Sequence, residues 1–134
     1  MRPPSKKKRR LAEQRASNLR ALYRSYRKRA SNRGLPFDLT PERFRELTKS
    51  NCLLCNAKPK QRYKHDKTSG APYIYNGIDR IDNDLGYVDG NCAPCCATCN
   101  YAKGTLSLEQ HLLHVNRVYE HAIKPALKDE DDDE

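Results

Sequence analysis

The 134-residue sequence has little from which to build a large apolar core. It contains no tryptophan, two phenylalanines and one methionine, and its mean hydropathy is -0.99. No apolar run of about 18 residues occurs, which excludes a transmembrane helix, and the basic N-terminus lacks the apolar stretch of a secretory signal. We therefore expect a cytoplasmic protein with one small ordered centre, which needs a metal or disulfides to stabilise it.

Acidic residues are almost missing from one end of the chain and basic residues from the other. Residues 2–33 contain thirteen Lys or Arg and one acid, whereas residues 129–134 are all acidic. A basic arm suits a polyanion such as DNA, because each neutralised phosphate releases counterions. A solvated arm without a specific partner is the alternative. We assign DNA contact to four basic residues of this arm: Arg20, Arg24, Arg27 and Lys28.

Two helices are predicted in the N-terminal third. Residues 1–10 are typical of a disordered segment, and apolar residues recur at helical spacing over 11–31, before a glycine stop. A threonine cap followed by proline begins a second helix over 40–51. Phe44 and Leu47 of that helix should face inward.

Two further helices are predicted near the C-terminus. Residues 95–103 form a compact one, and a Ser-x-x-Gln capping box begins the other at Ser107. Pro125 should end that helix, and the acidic segment 128–134 should be a disordered tail. The histidines of the last helix lack an acidic partner at ligand spacing and are expected to be exposed: His111, His114 and His121.

A hairpin is predicted between these helical regions. Residues 56–72 are polar and typical of a loop, and 73–81 ("YIYNGIDRI") alternate as a strand does. Asn, Asp and Gly within 82–87 indicate a turn, and 88–94 form a second short strand. The fold class is therefore small α+β.

The chain has six cysteines that could stabilise this small centre, and a reducing compartment favours metal binding over disulfides. Cys52-x-x-Cys55 and Cys96-x-x-Cys99 form two knuckles, and four thiolates from such pairs make a closed tetrahedral zinc site. Cys92 and Cys95 form a rival pair at the same spacing. We prefer Cys96 and Cys99 as the ligands, with the rival pair as small buried apolar residues.

The segment "NGIDRIDNDLGYVDGNCAPCCATCNYAKG", together with the first knuckle, resembles the zinc-bound HNH endonucleases of the His-Me finger (ββα-metal) superfamily, especially the small bacteriophage proteins. The resemblance covers residues 35–122. It implies a zinc-stapled ββα-metal core between a basic N-terminal helix and a C-terminal helix. It also implies a phage-encoded, metal-dependent DNA endonuclease of the host cytoplasm that uses Mg2+ or Mn2+ for phosphodiester hydrolysis.

The resemblance assigns roles residue by residue. Asp79 takes the place of the strand aspartate that ligates the catalytic metal, and Asn100 that of the helix ligand. Asn91 matches the asparagine that braces the hairpin loop or the histidine. Lys103 matches a basic residue that often follows and would contact DNA. Arg80 stands where the family has its general-base histidine.

Arg80 leaves the chemistry open, because arginine stays protonated and cannot take a proton from water. Another base can serve, with His65, Asp82 or a metal-bound hydroxide as candidates. Alternatively Arg80 holds the scissile phosphate in a slow enzyme, or the protein binds DNA without cutting it. A further hypothesis is that the protein is a phage packaging accessory that works with a terminase.

The predicted organisation has three parts. Residues 1–34 form the basic helical arm, 35–127 the HNH-like core with its C-terminal helix, and 128–134 the acidic tail.

Overall fold

The computed structural model describes residues 1–67 and 70–132, with side chains through residue 129. It shows a small mixed α+β protein that divides into two compact units, 1–102 and 103–134. The basic helix therefore belongs to the same unit as the hairpin region. Across the described ranges, no helix has both the length and the apolarity needed to cross a membrane.

The described residues of the first unit form three helices and four strands in the order ααββββα. Their bounds are α1 Lys6–Asn32, α2 Pro41–Lys49, β1 Gln61–Tyr63, β2 Tyr73–Tyr75, β3 Gly77–Arg80, β4 Cys92–Cys95 and α3 Ala97–Lys103.

Helix α1 begins earlier than predicted. Ser5 is its N-cap, with the side chain accepting a hydrogen bond from the Lys8 backbone N–H at 3.2 Å. This cap satisfies one of the free N–H groups of the first turn, so residues 6–10 are helical although their charge predicted disorder. The helix ends where Gly34 adopts a φ of 69°, a conformation that glycine reaches without strain.

The core of the first unit is aromatic as much as aliphatic. Tyr23 packs edge-to-face on Phe37 and on Phe44, with ring centroids 5.4 and 5.3 Å apart. The Tyr23 hydroxyl donates to the Leu39 carbonyl at 2.7 Å, so its polar group is satisfied. The buried centre consists of Leu22, Leu39, Phe44, Leu47, Tyr73 and Ile78. The predicted α2, with its Thr40 cap, is confirmed.

The predicted strand 73–81 is two strands in two sheets. β2 pairs antiparallel with β1, and β3 pairs antiparallel with β4, so the chain changes sheet at Asn76. β1 lies inside the segment 56–72. This segment was predicted as a loop because its polar residues show no alternation of apolar and polar positions. Residues 68 and 69 of that segment lie outside the described part of the chain.

The second unit is a helical segment, with α4 over Leu108–Val118, a π-helical turn over Tyr119–Ile123 and α5 over Lys124–Asp132. The Ser107 capping box is confirmed. Pro125 does not end the helix: the Lys124 N–H reaches back to the Tyr119 carbonyl across the wider π turn, and the proline, which has no N–H, falls in the first turn of α5.

Two further predictions for this unit are wrong. Residues 128–132, expected to be disordered, continue α5, while 133 and 134 lie outside the described residues. His111 is buried, with 7% of its surface exposed, although the lack of an acidic partner at ligand spacing led us to expect exposure. His114 and His121 are exposed as predicted.

Candidate metal centre and hairpin site

The sulfur atoms of Cys52, Cys55, Cys96 and Cys99 lie within 4.8 Å of one another. The Sγ atoms of Cys55 and Cys96 are 3.6 Å apart. A tetrahedron with Zn–S bonds of about 2.3 Å has edges of about 3.8 Å, so the thiol cluster fits a zinc ion in size and donor type. The choice of Cys96 and Cys99 as the second knuckle agrees with this geometry.

Local backbone geometry shapes the first knuckle. Asn56 has a φ of 62°, and its N–H donates to the Cys52 carbonyl at 2.9 Å. Asparagine tolerates this left-handed conformation better than most residues. The Leu53 N–H donates to the Pro94 carbonyl at 2.9 Å, which ties the knuckle to β4. The two cysteine pairs are therefore held together by backbone bonds as well as by any ion.

Two thiols of the cluster have pKa values that are shifted in opposite directions. Burial raises the pKa of Cys52, but backbone N–H groups of Cys96, Cys55 and Leu54 point at its sulfur and outweigh burial, lowering the pKa to about 6. Burial and the neighbouring sulfurs raise the pKa of Cys99. A second thiolate is unfavourable beside the first, and a bound dication removes that conflict.

The rival pair lies in a different environment. Cys95 is buried and Cys92 half-buried on β4. Burial raises the pKa of Cys92 to about 11 and that of Cys95 to about 12, so both remain neutral thiols near neutral pH. This is the behaviour of small apolar core residues.

Asn76 is a structural residue that the sequence analysis missed. Its side chain is 1% exposed and donates to the carbonyls of Ser50, at 2.9 Å, and Ala57, at 3.0 Å. These two carbonyls flank the first knuckle on both sides, so Asn76 fixes the segment that carries two of the thiols. The available signal was an asparagine–glycine pair interrupting a strand pattern.

Of the proposed catalytic residues, Asp79 and Arg80 lie on β3, Asn91 directly precedes β4, and Asn100 lies on α3; these elements follow in ββα order. Along β3, Ile78 and Arg80 are buried and Asp79, on the opposite face, is half-buried. Asn100 is exposed on α3, one position after the last cysteine of the cluster. Strand and helix thus carry the two oxygen donors outside the thiol cluster.

Asn91 braces the loop between β3 and β4. Its side-chain carbonyl accepts from the Asp82 N–H at 2.9 Å, and its amide donates to the carbonyls of Asp82, at 3.1 Å, and Gly86, at 2.8 Å. Its side chain is buried, so these contacts define its role as structural. The family resemblance gave bracing of the loop as one of two options.

Arg80 is directed into the same loop. It is 9% exposed, and Nη1 donates to the carbonyls of Asn83, at 2.6 Å, and Leu85, at 3.0 Å. Its guanidinium lies 5.7 Å from the centre of the Tyr87 ring. The observed contacts hold the loop.

The two alternative bases are also engaged. The Asn18 amide donates to the Ala71 carbonyl, so its Oδ1 faces His65 and lies 2.7 Å from Nδ1, while Nε2 lies 3.0 Å from the Asp66 carboxylate. Both ring nitrogens of His65 thus lie within hydrogen-bond distance of a side-chain oxygen. Asp82 accepts from the Asp84 N–H at 2.9 Å, an Asx turn.

The predicted DNA-contacting residues divide into two groups. The four α1 residues Arg20, Arg24, Arg27 and Lys28 are exposed. Lys103, at the end of α3, is 1% exposed, so its ammonium is not part of the exposed basic surface.

Comparison with known proteins gives a viral relative. The chain is 38% identical over 91 residues to the uncharacterized protein R423 of Acanthamoeba polyphaga mimivirus. The match covers 68% of this chain and 15% of that protein, so the chain spans a small part of the relative's length. No protein-family model and no solved structure matches the chain.

Proposed function

We propose that the protein is a metal-dependent DNA endonuclease of the HNH type, in which Zn2+ staples a ββα-metal core. The observation that carries the proposal is the ββα order of β3, β4 and α3 beside a four-thiol cluster. By the sequence resemblance, Asp79 and Asn100 correspond to the strand and helix residues that ligate the catalytic metal in that family. The exposed arginines of α1 supply a surface for the DNA backbone.

The residues present are chemically suited to this role. A carboxylate and an amide oxygen are donors that Mg2+ and Mn2+ accept, and two protein donors leave room for phosphate oxygens and water. When bound, the ion supplies positive charge that stabilises the leaving oxygen. Asp79 and Asn100 would hold it, while Asn91 and Arg80 keep the loop between β3 and β4 in one conformation.

A second candidate is a zinc-dependent DNA-binding protein that does not cut. The specific observation in its favour is the engagement of Arg80 and His65 with protein oxygens. General-base catalysis is typically worth about 10²–10⁴ in rate, so a site without it would be slow or silent. The viral relative supports a viral origin, and with it the alternative of a packaging accessory acting beside a terminase.

Plasmid nicking tests the first proposal. Zinc-loaded protein with Mg2+ or Mn2+ should convert supercoiled plasmid to open circles, and Asp79→Ala and Asn100→Ala should each reduce the rate at least about 100-fold. Asp84→Ala, an exposed loop carboxylate, and Asn116→Ala, an exposed helix amide, are the matched controls. If no divalent metal supports cleavage while DNA is still bound, the protein is a binder and the nuclease proposal fails.

The variant Arg80→His tests whether the site is slow for lack of a general base or whether Arg80 has a role of its own. A gain in nicking rate would mean that the missing base limits the reaction. An equal or lower rate, with zinc content and circular dichroism unchanged, would mean that Arg80 acts through the loop it holds. Arg80→Lys, which keeps the charge but not the planar fork, is the control.

A further inference from the structure

A cleft of about 380 Å³ lies between α1, α2 and β2, within the first unit. Three of its lining side chains are cationic, Arg15 from α1 and Arg45 and Lys49 from α2, and Tyr73 lies beside them. Leu19 contributes apolar surface. None of the lining residues is acidic, so three positive charges share a concave surface without a compensating carboxylate in its walls.

This arrangement is unfavourable by itself. Arg45 and Lys49 are four residues apart and so lie on one face of α2, where like charges repel. One acid of the helix, Glu46, pairs instead with Arg43 at 3.0 Å. Within the described chain, neither Arg15 nor Arg45 forms an ion pair.

Lys49 is held in place within the cleft. Its Nζ donates to the Ile74 carbonyl at 2.8 Å and lies 4.3 Å from the centre of the Tyr73 ring. Partial burial and then the charges of Arg45 and Arg15 lower the pKa of Lys49. An anion bound in the cleft would offset this repulsion. It would also contact the Lys49 ammonium, which the Ile74 carbonyl already holds in place.

The cleft is distinct from the outer basic face of α1. At 100° per residue, Arg15 projects within about 40° of Leu19 and Leu22, on the inward side of the helix. Arg20, Arg24 and Arg27 project about 120–180° away from it. The predicted DNA-contacting residues therefore leave the cleft unassigned.

We propose that the cleft is a phosphate-binding site that holds a phosphodiester of the nucleic-acid backbone, an inference that rests on the proposed function. Arg15 and Arg45 are the charge-assisted donors, since a guanidinium can bind two phosphate oxygens at once. Lys49 adds a fixed positive charge. The volume lies within the range of small-ligand pockets and accommodates a phosphate with its sugar. Contacts of this kind position the strand without reading its sequence.

Binding of a labelled duplex of about 20 base pairs tests the site. Zinc-loaded, full-length protein is titrated at several salt concentrations without Mg2+ or Mn2+, so that cleavage does not interfere. The double variant Arg15→Gln/Arg45→Gln should weaken binding about tenfold or more and reduce the slope of log K against log salt by about 1–2. Arg43→Gln is the matched control: the same helix and residue type, but already paired with acids.

The ring signals of Tyr73 provide a local readout by NMR. They should shift when DNA is added to the wild type and should shift much less in the double variant. Both substituted arginines are exposed, so zinc content and circular dichroism should be unchanged. Equal affinity and salt slope in wild type and double variant would overturn the proposal.

Two further outcomes are decisive. Tripolyphosphate that shifts Tyr73 in the wild type, when DNA does not, would overturn the nucleic-acid assignment and make the cleft a small-anion site. Loss of DNA binding in the double variant, with no cleavage by the wild type, would support the cleft and count only against the nuclease. The two proposals therefore fail separately.

Discussion

Arg80 donates a hydrogen bond to the carbonyl of Asn83 at 2.6 Å, three residues ahead of it in the chain. A second bond reaches the Leu85 carbonyl. Arg80 therefore braces the loop that joins β3 to β4. Asn91 holds that loop from its other end.

Arg80→Ala should lower the free energy of unfolding by about 2 kcal/mol, because two carbonyls lose a charged donor. Arg80→Lys should cost less, since one ammonium can still reach one carbonyl. Urea denaturation of zinc-loaded protein gives both values. A loss below about 0.5 kcal/mol for Arg80→Ala would show that the loop does not depend on these bonds.

The thiol cluster should bind one zinc ion per chain. Cys55→Ser should abolish stoichiometric binding, as measured by metal analysis after dialysis, and a chelator should unfold the core. Cys92→Ser is the control, because Cys92 lies outside the cluster, and it should retain zinc. Zinc retained by Cys55→Ser but lost from Cys92→Ser would refute the assignment of ligands.

Asn76→Ala should weaken zinc binding although Asn76 is not a ligand. It would remove the Asn76 donor from the Ser50 and Ala57 carbonyls, leaving Ala57 with the Cys52 N–H alone. Loss of such supporting bonds typically costs 10–100-fold in metal affinity. Competition with a chromophoric chelator measures the change. Asn51→Ala, an exposed asparagine beside the same knuckle, should stay within about twofold of the wild type.

Tyr26 should make stability depend on alkaline pH. Burial raises the pKa of its phenol to about 12, while its oxygen accepts from the Ile78 N–H at 3.3 Å. A pKa raised above the unfolded value of about 10 stabilises the fold fully below pH 10, and this stabilisation is lost as pH rises towards 12.

Comparison with Tyr26→Phe isolates this contribution. The wild type should be about 1 kcal/mol more stable near pH 8, where its hydrogen bond is intact. The advantage should shrink and reverse between pH 10 and 12, because only the wild type then has to keep a buried phenol protonated. A constant difference across this range in urea denaturation would contradict the shifted pKa.

Local chemistry made part of the molecule predictable. The Thr40 cap, the Ser107 capping box and the cysteine spacings act over three or four residues, and each is found where the sequence places it. Phe44 and Leu47 are buried for the same reason, since an amphipathic helix defines its own inward face.

Features that depend on distant partners were not predictable. The polar strand β1 exists because β2 pairs with it, and the break at Asn76 is fixed by carbonyls 26 and 19 residues away. Arg80 was recognisable as a departure from a family pattern, but its carbonyl partners depend on how the loop folds back. The cationic cleft likewise joins residues from α1 and α2 that no local motif connects.

Cys55 and Cys96 are 41 positions apart in sequence, yet their sulfurs lie 3.6 Å apart. Both small sheets are formed by the chain between them. An ion bound by both cysteine pairs before folding would close this segment into a ring. By analogy with disulfides, the ring lowers the conformational entropy of the unfolded chain, which raises its free energy by about 3–4 kcal/mol. Within that ring β3 and β4 are already close together, so less chain entropy is lost when they pair. Zinc that is present from the start should therefore accelerate folding as well as stabilise the folded state.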